Sequence, residues 1–168
     1  MTVTLHAQPY DIQAVGFYFT SFDEYAAKAA VLRNDFGDPV EEFELQFIDG
    51  EAIDCALAGA VGLYQNTIRR FFEIVDAWDE DEKTRVILAV GDCGYAFDVD
   101  TTPDDFDLDI YEYDNLRELA EQFVEEGVFG DIPERLAPYL DYEAIGRDLG
   151  MDYSEAEIAG KRLIYRCG

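Results

Sequence analysis

Residues Asp105–Glu126 read DFDLDIYEYDNLRELAEQFVEE. The stretch changes its hydrophobic period half-way. Phe106, Leu108 and Ile110 alternate with Asp105, Asp107 and Asp109, the period of a strand with one apolar face and one row of carboxylates. From Asn115 the apolar residues are Leu116, Leu119, Ala120, Phe123 and Val124. That spacing predicts a helix over Asn115–Glu126 with a single core-facing stripe. Glu118, Glu121 and Glu125 run beside the stripe. A strand passing directly into an amphipathic helix marks a mixed fold, and its polar side is almost wholly acidic.

The flanking sequence extends the same pattern. Downstream, two short helices are expected around Pro133–Tyr139 and Tyr142–Leu149, and RLIYRC over Arg162–Cys167 reads as a closing strand. At the N-terminus, Val3–His6 and Ala14–Thr20 are β-prone. Ser21 and Glu24 fit a capping box opening a helix through FDEYAAKAAVLRN. In Glu42–Ile48, Phe43, Leu45 and Phe47 face one way and Glu42, Glu44 and Gln46 the other, as in a half-exposed strand. The middle is helical, with Ile68, Phe71, Phe72 and Val75 at helical spacing within Gln65–Ala77. Asp79 caps the next helix, with Asp81 and Glu82 in its first turn, and Gly91 and Gly94 suggest its end. The expected fold class is α+β, a chain of small mixed α/β subdomains with short antiparallel sheets and a helical middle. The expected divisions are 1–60 (α+β), 61–97 (helical) and 98–168 (acidic, α+β).

Charge is the unusual property. Among 168 residues there are 38 acids, 12 Lys and Arg, and one His, a net −26. A small domain needs a net charge of only about 2–8 for solubility, and the excess opposes compaction. With hydrophobic residues at 49%, the chain is too apolar for a disordered acidic tail and should fold. Such charge disfavours nucleic acid and anionic membranes as partners, because both are negative. It favours a strongly basic partner; a halophilic source is the other reading. The excess is concentrated in residues 98–157, which hold 20 acids and only Arg117, Arg135 and Arg147 as bases.

Carboxylates at i and i+2 on a strand are about 6.7 Å apart. At i and i+4 on a helix they are about 6 Å apart. Duplex DNA carries one charge per about 1.7 Å of axis over both strands. Several rigid acidic rows therefore approach the charge density of a phosphate backbone. The candidate partner-binding acids are Asp105, Asp107, Asp109, Glu112, Asp114, Glu118, Glu121, Glu125, Glu126, Asp131, Glu134, Asp141, Glu143 and Asp148. Taken singly, each of these could simply solvate a helix or strand face.

Material for catalysis is sparse. His6 is the single histidine, so triads and His-based metal sites lack ligands. There is no Walker A or GxGxxG motif. Asp105, Asp107 and Asp109 resemble the opening of a calcium loop, but Ile110 stands at the required Gly and Leu116 at the required Glu. No catalytic residue, metal or cofactor is expected, and no enzymatic activity. Cys55, Cys93 and Cys167 form no CxxC pair, which argues against a secreted disulfide framework. No signal peptide or membrane span is legible, and a cytoplasmic location is expected.

Val128–Leu149 reads VFGDIPERLAPYLDYEAIGRDL. With Asp131, Pro133, Glu134, Ala137, Tyr139, Asp141, Tyr142, Glu143, Ala144, Arg147, Asp148 and Leu149, it resembles the antirestriction motif and downstream segment of the ArdA family. GFYF at Gly16–Phe19, VEEFELQFIDG at Val40–Gly50 and the terminal YRCG also fit, so the resemblance covers essentially the whole chain. Leu140 departs from the Phe of many relatives by a conservative apolar change. The resemblance implies an elongated homodimer of small α/β domains, encoded on mobile genetic elements. It implies mimicry of the bent DNA bound by type I restriction–modification enzymes, in the DNA-binding groove of the methyltransferase core. It also places Pro133, Leu136, Tyr139 and Leu140 in packing or association near a dimer contact. Charge alone leaves a second reading open, an acidic decoy or chaperone for another basic DNA-binding protein.

Overall fold

Strand β1, Thr4–Pro9, is the axis of the first half of the chain. Leu5, Ala7 and Pro9 point into the core at every second position. β1 pairs antiparallel with β2 (Phe17–Phe19) on one side and β3 (Phe43–Asp49) on the other. Leu5 is opposite Phe19 and Phe47; Ala7 is opposite Phe17 and Leu45. A proline in a central strand requires a reason, because it removes a ladder donor. Pro9 pairs with Phe43 at a position where the backbone groups of both residues point away from each other. On the other side, β2 pairing stops at Ala7. The missing N–H therefore interrupts neither ladder.

The computed structural model describes all 168 residues, which form two compact units, Met1–Asp105 and Phe106–Gly168. The architecture is α+β, with one three-stranded antiparallel sheet in each unit. Stretches 1–60 and 61–97 fall within the same unit.

In the first unit, α1 (Phe22–Val31) is capped by Ser21, whose Oγ accepts from Glu24 N at 3.1 Å; Glu24 Oε2 accepts from Thr20 N at 3.1 Å, one residue before the N-cap, so the expected capping box is only half formed. It ends before the expected Asn34. The Asn34 carboxamide oxygen accepts from Phe36 N and Asp38 N, both at 2.9 Å, and builds a turn instead. α2 (Ala52–Val61) lies where no element was expected and buries Ile53, Leu57 and Ala58. α3 (Ile68–Ala77) starts later than the expected Gln65 and buries Ile68, Phe71 and Ile74. α4 (Glu80–Val86) has a complete capping box between Asp79 and Glu82 and continues as a π-helical turn over Ile87–Asp92. Aromatic rings link the strands, with Phe17 and Phe43 5.6 Å apart, and join sheet to helices, with Phe19 5.1 Å from Tyr25 and 5.9 Å from Phe72.

The second unit orders its strands β4 (Leu108–Tyr111), β6 (Lys161–Cys167), β5 (Ser154–Ile158), all antiparallel. The strand expected from Asp105 begins only at Leu108. Pro103–Asp105 is a 3₁₀ turn, closed by Thr102 N donating to the Asp105 carboxylate at 2.8 Å, and that local bond competes with an extended backbone. β5 and β6 meet in a two-residue hairpin through Ala159 (φ 51°) and Gly160 (φ 83°). Positive φ at both positions matches the strand twist. Helices α5 (Leu116–Glu125) and α6 (Tyr142–Leu149) pack together. A Cβ on Gly146 would lie 3.1–3.2 Å from the Leu116–Arg117 backbone, so the absent side chain lets α6 approach the start of α5. Leu119, Phe123, Tyr153 and Ile164 form the core.

Candidate functional site

The acids are surface groups of well-defined elements. Of the 38, Asp54 alone is buried. Twelve of the fourteen candidate acids are exposed, Asp109 and Glu118 being half-buried. Asp109 is the only member of the expected strand row that lies in β4. Asp107 precedes the strand and Asp105 ends the 3₁₀ turn, so the three do not form one row on a strand.

Several of these carboxylates also hold the fold. Glu118 accepts from Asp114 N at 2.9 Å, while Asn115 caps α5 by accepting from Glu118 N at 3.0 Å. Asp141 caps α6 through Ala144 N at 3.1 Å. Asp109 accepts from Arg166 Nε at 3.0 Å, and the guanidinium lies 5.1 Å from the Tyr153 ring centre. That carboxylate raises the Arg166 pKa above its ordinary value. Glu121 and Glu143 approach Arg117 at 3.3 and 3.7 Å, and Glu112 approaches Lys161 at 3.7 Å. Exposed pairs of this kind contribute about 0–1 kcal/mol. They leave the acids on the surface, and the few cations leave most carboxylates unmatched.

Negative charge is not confined to the region singled out from the sequence. The first unit holds 22 acids against 6 Lys and Arg, the second 16 against 6. Per residue the two excesses are nearly equal. Glu41, Glu42 and Glu44 are exposed beside and on β3, and Asp79, Glu80 and Asp81 at the start of α4. The alternation of Glu42–Ile48 signalled the first group and the capping pattern the second. In the same unit, Asn34 and the Gln13 backbone lower the Asp11 pKa by hydrogen bonding, and Lys28 and Thr20 do the same for Glu24.

The apolar candidates occupy the segment between α5 and α6. Pro133, Leu136 and Tyr139 are exposed, Tyr139 to 83%. Leu140 is half-buried in the wall of an apolar cleft of about 320 Å³, together with Val124, Phe129, Ile132, Ile145 and Leu149. The expected helix around Pro133–Tyr139 is a single 3₁₀ turn, Ala137–Tyr139.

His6 lies half-exposed on β1, its ring 4.7 Å from Tyr18. No group of three or more His, Cys, Asp or Glu side chains converges to hold a metal. No helix is long and apolar enough to cross a membrane.

Residues 44–160 of the 168 match the family model of the antirestriction protein ArdA. The chain belongs to the ArdA family. The match runs from β3 through the hairpin turn before β6 and so takes in parts of both units. Membership makes it an antirestriction protein, an inhibitor that acts on restriction enzymes and not an enzyme itself. No curated protein matches the chain.

Proposed function

We propose that this ArdA protein inhibits type I restriction–modification enzymes by mimicking DNA, filling the DNA-binding groove of the methyltransferase core with ordered carboxylates. The observation that carries the reading is the placement of acid: all but Asp54 of 38 reach solvent. A net −26 equals the phosphates of about 13 base pairs, or roughly 44 Å of duplex. A groove built for phosphates is lined with Lys and Arg, and carboxylates fixed on helices and strands neutralise them. Opposite charge steers the encounter and raises the association rate. A prefolded mimic also avoids bending a duplex, which costs about 1–10 kcal/mol.

The exposed Leu136 and Tyr139, in the segment whose Leu140 walls the apolar cleft, support a homodimer contact there. Protection of incoming mobile DNA would then take place in the cytoplasm. The test is competition between this protein and a DNA duplex for a purified type I methyltransferase complex, over a salt series. Displacement at low salt that fades as salt rises is expected. Absence of binding at low salt would transfer the reading to another basic DNA-binding protein.

A further inference from the structure

Sheet β2-β1-β3 leaves the outer side of β3 without a partner strand. Such an edge offers a row of backbone donors and acceptors to any extended chain. Part of the edge already carries a substitute peptide group. The Gln65 carboxamide accepts from Phe43 N at 2.9 Å and donates to the Glu41 carbonyl oxygen at 2.9 Å, as a neighbouring strand would. Alternation puts the backbone groups of Leu45 on the same outer side as those of Phe43. Beside this edge is a cleft of about 660 Å³, lined by Tyr10, Glu42–Leu45 and the loop Leu63–Asn66. Its volume exceeds what one side chain needs and falls in the range of ligand-binding clefts.

The cleft has a definite chemistry. Tyr10 and Tyr64, 65% and 61% exposed, are among its lining residues. Glu42, immediately before β3, and Glu44, within it, are exposed two residues apart, about 7 Å for an extended backbone. An added strand would pair with the outer groups of Leu45 and take the place of the Gln65 carboxamide at Phe43; repeating at that same spacing, cations at its alternate positions then meet both carboxylates in register. Exposed aromatic rings favour cations as well. We propose that this cleft docks an extended, Lys- or Arg-bearing segment of a protein partner by strand addition to β3, a mode in which main-chain bonds give affinity and alternate side chains give selectivity. The site differs in kind from dispersed charge mimicry, because it reads backbone as well as charge.

The test uses the full chain, labelled for amide NMR, and a short blocked peptide alternating lysine with valine. Saturable shifts are expected at the amides of Leu45, Tyr64 and Asn66. The same peptide, N-methylated at alternate residues, keeps its charge but loses backbone donors, and should bind about tenfold more weakly. The double variant E42Q/E44Q, on exposed positions, should weaken the parent peptide about tenfold while its spectrum stays folded. Shifts spread over acidic faces of both units, equal binding of the N-methylated peptide, or no shifts would each overturn the proposal. No restriction enzyme is present in this experiment, so its outcome is independent of whether the antirestriction mechanism proposed above holds.

Discussion

Lys83 Nζ lies 2.7 Å from Asp54 Oδ1, with both side chains less than a tenth exposed. The pair joins α2 to α4 in the interior of the first unit. It is the one place where this chain spends a carboxylate inside, and there it is matched by a cation. Removing one partner leaves a buried charge without compensation, which costs about 3–5 kcal/mol. Lys83→Met or Asp54→Leu alone is therefore expected to lower the denaturation midpoint strongly. The double replacement Asp54→Leu/Lys83→Met should recover most of the loss, since an apolar pair of similar volume is often neutral. Denaturant titration of the two singles and the double checks this; additive losses would mean that the pair is not coupled.

Helix caps should be separately measurable. Asn115 and Asp79 each accept a backbone N–H at the start of a helix, and at Asp79 the bond is reciprocated by Glu82. Asn115→Ala and Asp79→Ala should each cost about 1 kcal/mol. Because α5 and α4 lie in different units, thermal unfolding followed by unit-specific probes should register the first loss in the second unit and the second in the first.

These same elements show what could be read in advance. α5 was legible because Leu116, Leu119, Ala120, Phe123 and Val124 repeat at helical spacing, and α6 has the expected bounds Tyr142–Leu149; the structure adds the caps Asn115 and Asp141. α2 was not, because AIDCALAGAV is apolar almost all round, and Glu51 makes no side-chain cap. β5 was hidden too, since in SEAEI only Ala156 and Ile158 turn inward, too short an alternation to separate from a loop. At the surface, the acidic character of β3 and α5 was evident from period alone. The Asp54–Lys83 pair and the Gln65 contact with β3 join residues 29 and 22 apart, and only the tertiary fold brings them together.

Inhibition should respond to many substitutions and to few of them individually. If binding is shared among dispersed ion pairs, Glu125→Gln or Asp148→Asn alone should change competition with DNA less than about threefold. Neutralising Asp107, Glu112, Glu121, Glu125, Glu134 and Glu143 together, none of which caps a helix, should abolish it while the fold persists. Loss of competition on a single neutralisation, with folding intact by circular dichroism, would instead indicate one dominant contact.

Alkaline pH offers a test of the aromatic packing. Burial raises the phenol pKa of Tyr25 and of Tyr111, the latter helped by the charges of Tyr153 and Asp109. Raised folded-state values mean that the stability these groups contribute is fully present below the unfolded value of about 10 and is lost as pH rises through the folded ones. Phenolate absorbance should show these two phenols titrating above the unfolded value of about 10. Tyr111→Phe should shift the alkaline unfolding midpoint of the second unit upward.

Salt should act in opposite directions on folding and on partner binding. With 22 acids against 6 bases in one unit and 16 against 6 in the other, most neighbouring surface charges repel. The screening length falls from about 30 Å at 0.01 M to about 8 Å at 0.15 M. Neighbouring carboxylates on one element are about 6–7 Å apart, so nearest repulsions survive at 0.15 M, while the sum over distant ones is removed. The melting temperature should therefore climb steeply over that interval and more slowly beyond it. Competition with DNA, which depends on attraction between the same acids and a cationic groove, should weaken over the same interval. Parallel melting and competition series in sodium chloride measure both. A melting temperature that fell with salt would mean that the few ion pairs, such as Asp109–Arg166, outweigh the mutual repulsion of the remaining acids.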